Sequence, residues 1–154
     1  MVTIRPKTVV TLKVTGACPS HSRTDVTVRD LTFHVDEPTE RGGTNLGPSP
    51  TETLLAALAA CTNRIGHKVA DANGVKIAAF AVDVEARFDR RGVELKEEID
   101  VPFPEIHLRV DMATDADDAS VEKMKADLRR YCPISKVIRQ AGTEIIEHWT
   151  VKRP

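Results

Sequence analysis

The stretch "GPSPTETLLAALAACTNRIG" (47–66) constrains this chain more than any other, because it reads as a long apolar helix with a well-marked start. Ser49, Pro50 and Glu52 have the spacing of an N-cap, a first-turn proline and a capping-box glutamate, in which hydroxyl and carboxylate each satisfy a free backbone N–H of the first turn. Leu54, Leu58, Cys61 and Ile65 recur at spacings of four and three, and Leu55 and Ala57 widen the stripe. Cys61 therefore faces the apolar side. "DANG" (71–74) ends the helix, with Gly74 as its C′ residue. A helix this apolar must be covered by the rest of the fold or by a second chain.

The remaining segments supply candidates for that cover. "KTVVTLKVTG" (7–16) and "RTDVTVRDLTFHVD" (23–36) are rich in Val and Thr, and the turn residues of "GACPSHS" between them suggest a β-meander. "EPTERGGTNLGPSP" (37–50) is a loop, since no helix or strand tolerates that density of Gly, Pro and Asn. "VKIAAFAVDVEARFD" (75–89) and "EIHLRVDM" (105–112) read as strands. "DASVEKMKADLRRY" (118–131) is a helix with Val121, Met124 and Leu128 on one face. "CPISKVIRQAG" (132–142) is a short helix with Pro133 in its first turn and Gly142 at its end, and "TEIIEHWTVK" (143–152) alternates as a last strand. The order is that of an α+β fold in one domain over 1–154.

Charge excludes some functions. Twenty-two basic and twenty-three acidic residues give a formal charge of −1, and they are scattered, so no surface for nucleic acid is expected. "EKMKADLRR" resembles a basic helix, but Asp118, Glu122 and Asp127 interleave with it and make it a solvated face. The beginning "MVTIRPKTVVTLKVTG" lacks a signal pattern and no stretch reaches the roughly 18 apolar residues of a membrane span. The expected location is the cytoplasm, with no membrane contact. There, three cysteines are free, catalytic or redox-active rather than structural crosslinks.

Two readings of Cys61 stay open on spacing alone: a small hydrophobe filling the core, or a nucleophile. Cys132 stands just ahead of a helix, where unpaired N–H groups and the dipole favour a thiolate. By that physics it is the more acidic of the two, and Cys61 needs a cation from outside its own helix. Cys18 and His21 in "CPSH" (18–21) are close in sequence, but two ligands on a turn do not make a metal site. His34, His67, His107 and His148 are dispersed, and His67, six residues after Cys61, lies on another helical face. No metal or cofactor is expected.

"DEPTERGGTNLGPSPTETLLAALAACT" (36–62), followed about seventy residues later by "RYCPISKVI" (130–138), resembles the OsmC/Ohr family of thiol-dependent hydroperoxide reductases. The resemblance covers most of the chain. It implies an OsmC-like fold, with antiparallel sheets around a buried central helix, in an intertwined homodimer. It also implies that Cys61 attacks an organic hydroperoxide and becomes a sulfenic acid, that Cys132 resolves it as a disulfide, and that a dithiol, lipoyl-type or other, reduces the product.

In Ohr-like members an arginine in a "TGGR"-like turn holds the thiolate, and a glutamate holds the arginine. The matching region here is "TGACPSHSR" (15–23), which nominates Arg23, with Arg41 in "TERGG" (39–43) as runner-up. The glutamate stands ten residues before the cysteine in those members, where this chain has Thr51; Glu52 is one step later, about 100° around a helix. Glu52 is thus either part of the site or only a helix cap. These departures point to a divergent OsmC-like branch. Two competing functions use the same residues: a non-catalytic module for a small hydrophobic ligand, and a thiol-based redox sensor.

Overall fold

The computed structural model describes residues 8–154. The chain is α+β, with two three-stranded sheets, and it divides into two units, one ending at Thr53 and one running from Leu54 to Pro154.

In the first unit, β1 (Thr15–Ala17), β2 (Thr24–Val28) and β3 (Leu31–Val35) form an antiparallel meander, with Thr15 opposite Thr27 and Val26 opposite Phe33. The strand expected over 7–16 shrinks to its last residues, and position 7 lies outside the described residues. The composition of 8–14 suits a strand, but a strand exists only as a pairing. Among the described residues no strand pairs with that stretch, and Val9 and Leu12 are 85% and 87% exposed.

The Gly- and Pro-rich loop after β3 is organised by Asp36. This residue is buried, and its carboxylate accepts from the hydroxyl of Thr44 (2.5 Å) and from the backbone N–H groups of Glu37 (2.8 Å), Thr44 (3.0 Å) and Leu46 (3.3 Å). Those donors, the Thr44 hydroxyl foremost, hold its carboxyl far below the usual carboxylate range. Close packing of the loop explains two of its glycines. A Cβ on Gly43 would fall 1.8 Å from the carbonyl oxygen of Glu37, and one on Gly47 would fall 2.1 Å from that of His34.

Helix α1 (Pro50–Ala72) starts at the expected capping box: the Ser49 N–H donates to Glu52 Oε2 (2.8 Å) and the Glu52 N–H donates to Ser49 Oγ (3.3 Å). It stops where Gly74 turns left-handed at φ +68 and the Val75 N–H donates to the Ala70 carbonyl (2.9 Å). Leu58, Thr62, Gly66, Val69 and Ala70 are buried, whereas Leu54 is 39% exposed. Within one chain the helix is therefore buried along a single face.

The second sheet holds β4 (Ala79–Arg87), β5 (Glu105–Ala113) and β6 (Glu144–Lys152). The expectation of antiparallel sheets holds for the first sheet and for the β4–β5 pair, but β5 and β6 run parallel, with Ile106 opposite Ile145. Parallel neighbours need a crossover, and α2 (Asp118–Tyr131) with α3 (Pro133–Gln140) supplies it. Inward residues of the sheet meet α1 and the crossover helices in two apolar clusters, one containing Met112, Val121, Met124, Leu128 and Cys132, the other Leu58, Ile106, Leu108, Val110, Ile138 and Ile145. Among the described residues, no helix is long and apolar enough to cross a membrane.

The loop geometry predicts that Gly43→Ala and Gly47→Ala each destabilise the protein by about 1–3 kcal/mol or more, because a methyl group there displaces backbone. Gly92→Ala, whose Cβ would meet nothing nearer than 3.6 Å, should be close to neutral. Urea unfolding midpoints of the three variants check the contrast.

Candidate active site

Two of the thiols meet. Cys61, at the middle of α1, lies on the face that packs against the cluster containing Cys132. Cys132 closes α2 and opens α3: its N–H donates to the Leu128 carbonyl (2.9 Å) and its carbonyl accepts from the Lys136 N–H (3.1 Å). One residue therefore serves both helices, at φ −69 and ψ 111. The sulfurs of Cys61 and Cys132 stand 3.1 Å apart in hydrogen-bond contact, about 1 Å longer than a disulfide bond. Cys132 is buried and Cys61 partly so.

Burial pushes the Cys61 thiol above its ordinary value; a backbone hydrogen bond from Ile134 in the first turn of α3 works against that rise, and the Cys132 thiol adds to it. The thiol expected to attack is thus the one whose ionisation burial opposes.

The arginines belong to the first unit. Arg23 donates from Nε and Nη2 to the two carboxylate oxygens of Asp25 at 2.6 and 2.9 Å, and His34 Nδ1 lies 2.7 Å from the same carboxylate. The Arg23 guanidinium, first among these neighbours, holds the Asp25 carboxyl below its usual range. Arg41 pairs with Glu37 at 2.7 Å. Glu52 acts as the helix cap, and its carboxyl is lowered chiefly by the Ser49 N–H, with Arg41 a lesser influence. Cys18 is exposed, with its sulfur 3.7 Å from Thr24 Oγ1. Among the described residues, no three His, Cys, Asp or Glu side chains are grouped to hold a metal ion.

Residue-by-residue reading overlooked Asp25, the carboxylate that orients Arg23, and Glu147 on β6. Glu147 occupies an inward position in the register, opposite Leu108, with its side chain only 9% exposed. The signal was available: in "EIIEHWTVK" (144–152) a charged residue stands on the same alternate row as Ile145, Trp149 and Val151.

The family model described as OsmC-like protein matches residues 43–147, which include Cys61 and Cys132, β4, β5 and the start of β6. The chain belongs to the OsmC-like family. Its fold is similar to that of an OsmC-like protein from Mycoplasma pneumoniae, at 16% identity and a TM-score of 0.75 over 94% of this chain and 97% of the other. It is also similar to an organic hydroperoxide resistance protein OsmC from Legionella pneumophila, at 18% identity and a TM-score of 0.66 over 95% and 99%. A third similar structure is the organic hydroperoxide resistance protein OhrB of Bacillus subtilis, at 22% identity and a TM-score of 0.58 over 93% and 98%. Among curated proteins compared by sequence, none matches this OsmC-like chain.

The geometry predicts that diamide oxidation joins Cys61 to Cys132 and leaves Cys18 out of any intramolecular bond. Peptide mapping by mass spectrometry under non-reducing conditions checks this, and a bond to Cys18 would contradict it.

Proposed function

We propose that this OsmC-like protein is a thiol-dependent peroxidase that reduces organic hydroperoxides. The observation that carries the reading is the pair of thiols 3.1 Å apart inside an apolar setting. Family membership supports a redox role, as do structural neighbours whose names speak of organic hydroperoxide resistance.

In the proposed reaction the Cys61 thiolate attacks the terminal oxygen of the hydroperoxide. An S–O bond forms, the O–O bond breaks, and the alkoxide leaves with a proton as the alcohol, so Cys61 becomes a sulfenic acid by losing two electrons. Cys132 then attacks the Cys61 sulfur; the S–S bond forms, the S–O bond breaks, and hydroxide leaves with the Cys132 proton as water. An external dithiol reduces the disulfide by two exchange steps and is itself left oxidised. Apolar surroundings favour an alkyl or aryl hydroperoxide over hydrogen peroxide, whose hydration would be lost with little return.

Burial raises the Cys61 thiol, so the reaction needs a cation to restore the thiolate. We assign that role to Arg23, with Asp25 rather than Glu52 as the carboxylate that orients its fork. Arg41 is the alternative. We also propose that the working form is an intertwined homodimer. Val9, Val10, Leu12 and Val14 are all more than 60% exposed, and Leu54 on α1 is partly so, which leaves an apolar row and a helix face for a second copy to cover. The redox-sensor and ligand-binding readings use the same pair without turnover.

Steady-state turnover of cumene or tert-butyl hydroperoxide, with dihydrolipoamide or dithiothreitol as reductant, should exceed that of hydrogen peroxide. Cys61→Ser should abolish it with the fold intact. A folded wild type without turnover would leave the sensor or binding reading. Arg23→Ala should slow peroxide reduction at neutral pH by at least about tenfold, equivalent to 1.4 kcal/mol. Loss of the cation raises the thiol further, so the rising limb of the pH–rate profile should move to higher pH in Arg23→Ala and stay in place in Arg41→Ala. The opposite result moves the assignment to Arg41. Light scattering at micromolar concentration should give twice the chain mass, and a monomer would remove the dimer.

A further inference from the structure

Glu147 joins two helices that meet at a reactive cysteine. Its Oε1 accepts from Arg129 Nε (3.1 Å) in the last turn of α2 and from Arg139 Nη2 (2.9 Å) in the last turn of α3, and its Oε2 accepts from Trp149 Nε1 (3.2 Å). Arg139 is tied to the same strand a second time, through Nη1 to the Ile145 carbonyl (3.1 Å). Between the two arginines the chain turns a single corner, and Cys132 is that corner: it is at once the C-cap of α2 and the N-cap of α3.

We infer that Glu147 is a positioning residue for the thiol pair, a clamp across α2 and α3 that fixes where the Cys132 sulfur stands relative to Cys61. The angle between the helices is set by the φ and ψ of Cys132 itself, and those torsions also set the direction of its Cα–Cβ bond. A clamp that fixes the angle therefore aims the sulfur. If the helices splay, the sulfur swings away from α1, even though neither arginine nor Glu147 touches it.

The choice of groups suits the task. A carboxylate nine-tenths buried with charge-assisted bonds from two guanidinium groups is costly to break one side at a time, because the freed charge stays desolvated. Glu147 is anchored on β6, which is paired along its length with β5, so the clamp refers the crossover helices to the sheet. Pro133 in the first turn of α3 adds stiffness at the corner itself.

For the chemistry, the clamp raises the effective concentration of Cys132 at Cys61. Sulfenic acid formation at Cys61 needs no second sulfur in line, so it is only weakly sensitive to the clamp. Disulfide formation requires the second sulfur in line and depends on it. This role rests on the proposed thiol chemistry for its biological meaning, but the thiol–disulfide equilibrium tests it without any peroxide.

The test compares wild type, Glu147→Gln and Arg129→Gln. The Cys61–Cys132 pair is equilibrated against reduced and oxidised dithiothreitol, and each state is counted by alkylation and mass spectrometry, with melting curves recorded alongside. Glu147→Gln retains an acceptor of the same shape and loses the charge. It should lower the equilibrium constant for the disulfide at least tenfold, a potential about 30 mV less reducing for a two-electron couple, while melting stays cooperative. Arg129→Gln removes a largely exposed arm and should lower the constant in the same direction by at least threefold; it decides the matter if Glu147→Gln does not fold. In a single turnover with cumene hydroperoxide, Glu147→Gln should form the dimedone-trappable sulfenic acid at a rate close to that of wild type and lose it at least tenfold more slowly. An unchanged equilibrium constant in the folded variants overturns the clamp. A shifted constant in a protein that turns over no peroxide leaves the clamp standing and overturns the peroxidase instead.

Discussion

The parallel pairing of β5 with β6 is the constraint on which the second unit depends. A chain that leaves the end of β5 must travel back the length of a strand before β6 can start in the same direction. Nine strand residues span about 30 Å, and α2, with fourteen, covers about 21 Å of the return. Helix α3, with eight residues, adds about 12 Å and leads to the start of β6. The change of direction falls on Cys132. The crossover that closes the sheet thus delivers a thiol to the inner side of the layer, where α1 lies over the same clusters.

On the other side of the pair, Cys61 owes its place to a helix register fixed at its first turn. The box formed by Ser49 and Glu52 sets where α1 begins, and the residues that follow bring Leu58, Thr62, Gly66 and Val69 onto the buried face. Gly66 carries a cost of about 1 kcal/mol relative to alanine in a helix interior, and the space it leaves is taken by the Phe80 ring, 3.1 Å from where a Cβ would stand. That close approach of ring to helix backbone is the kind of contact that fixes a helix on a sheet.

Much of this was legible in the sequence because it is local. Val121, Met124 and Leu128 announce α2, whose bounds fall where periodicity puts them; the capping box and Gly74 likewise bracket α1 within a residue or two. What was illegible depends on distant partners. The composition of 8–14 suits a strand, yet pairing decides whether it is one. The parallel direction of β6 against β5 is a pairing that no spacing encodes. The two thiols were nominated by family resemblance, and their distance of 3.1 Å is a tertiary fact that helix periodicity does not contain. Glu147 is the intermediate case: its inward row was visible in the alternation of the strand, but its two arginines were not.

Trp149 is the chain's single tryptophan. Its ring packs against both apolar clusters, meets Phe80 edge-on at 6.3 Å and lies under Lys125 Nζ at 5.5 Å, while its indole N–H donates to Glu147. One chromophore thus samples the sheet, the crossover helices and the neighbourhood of the thiols together. Its emission reports on that interior without a competing indole elsewhere in the chain, so the fold carries its own optical gauge beside the thiol pair.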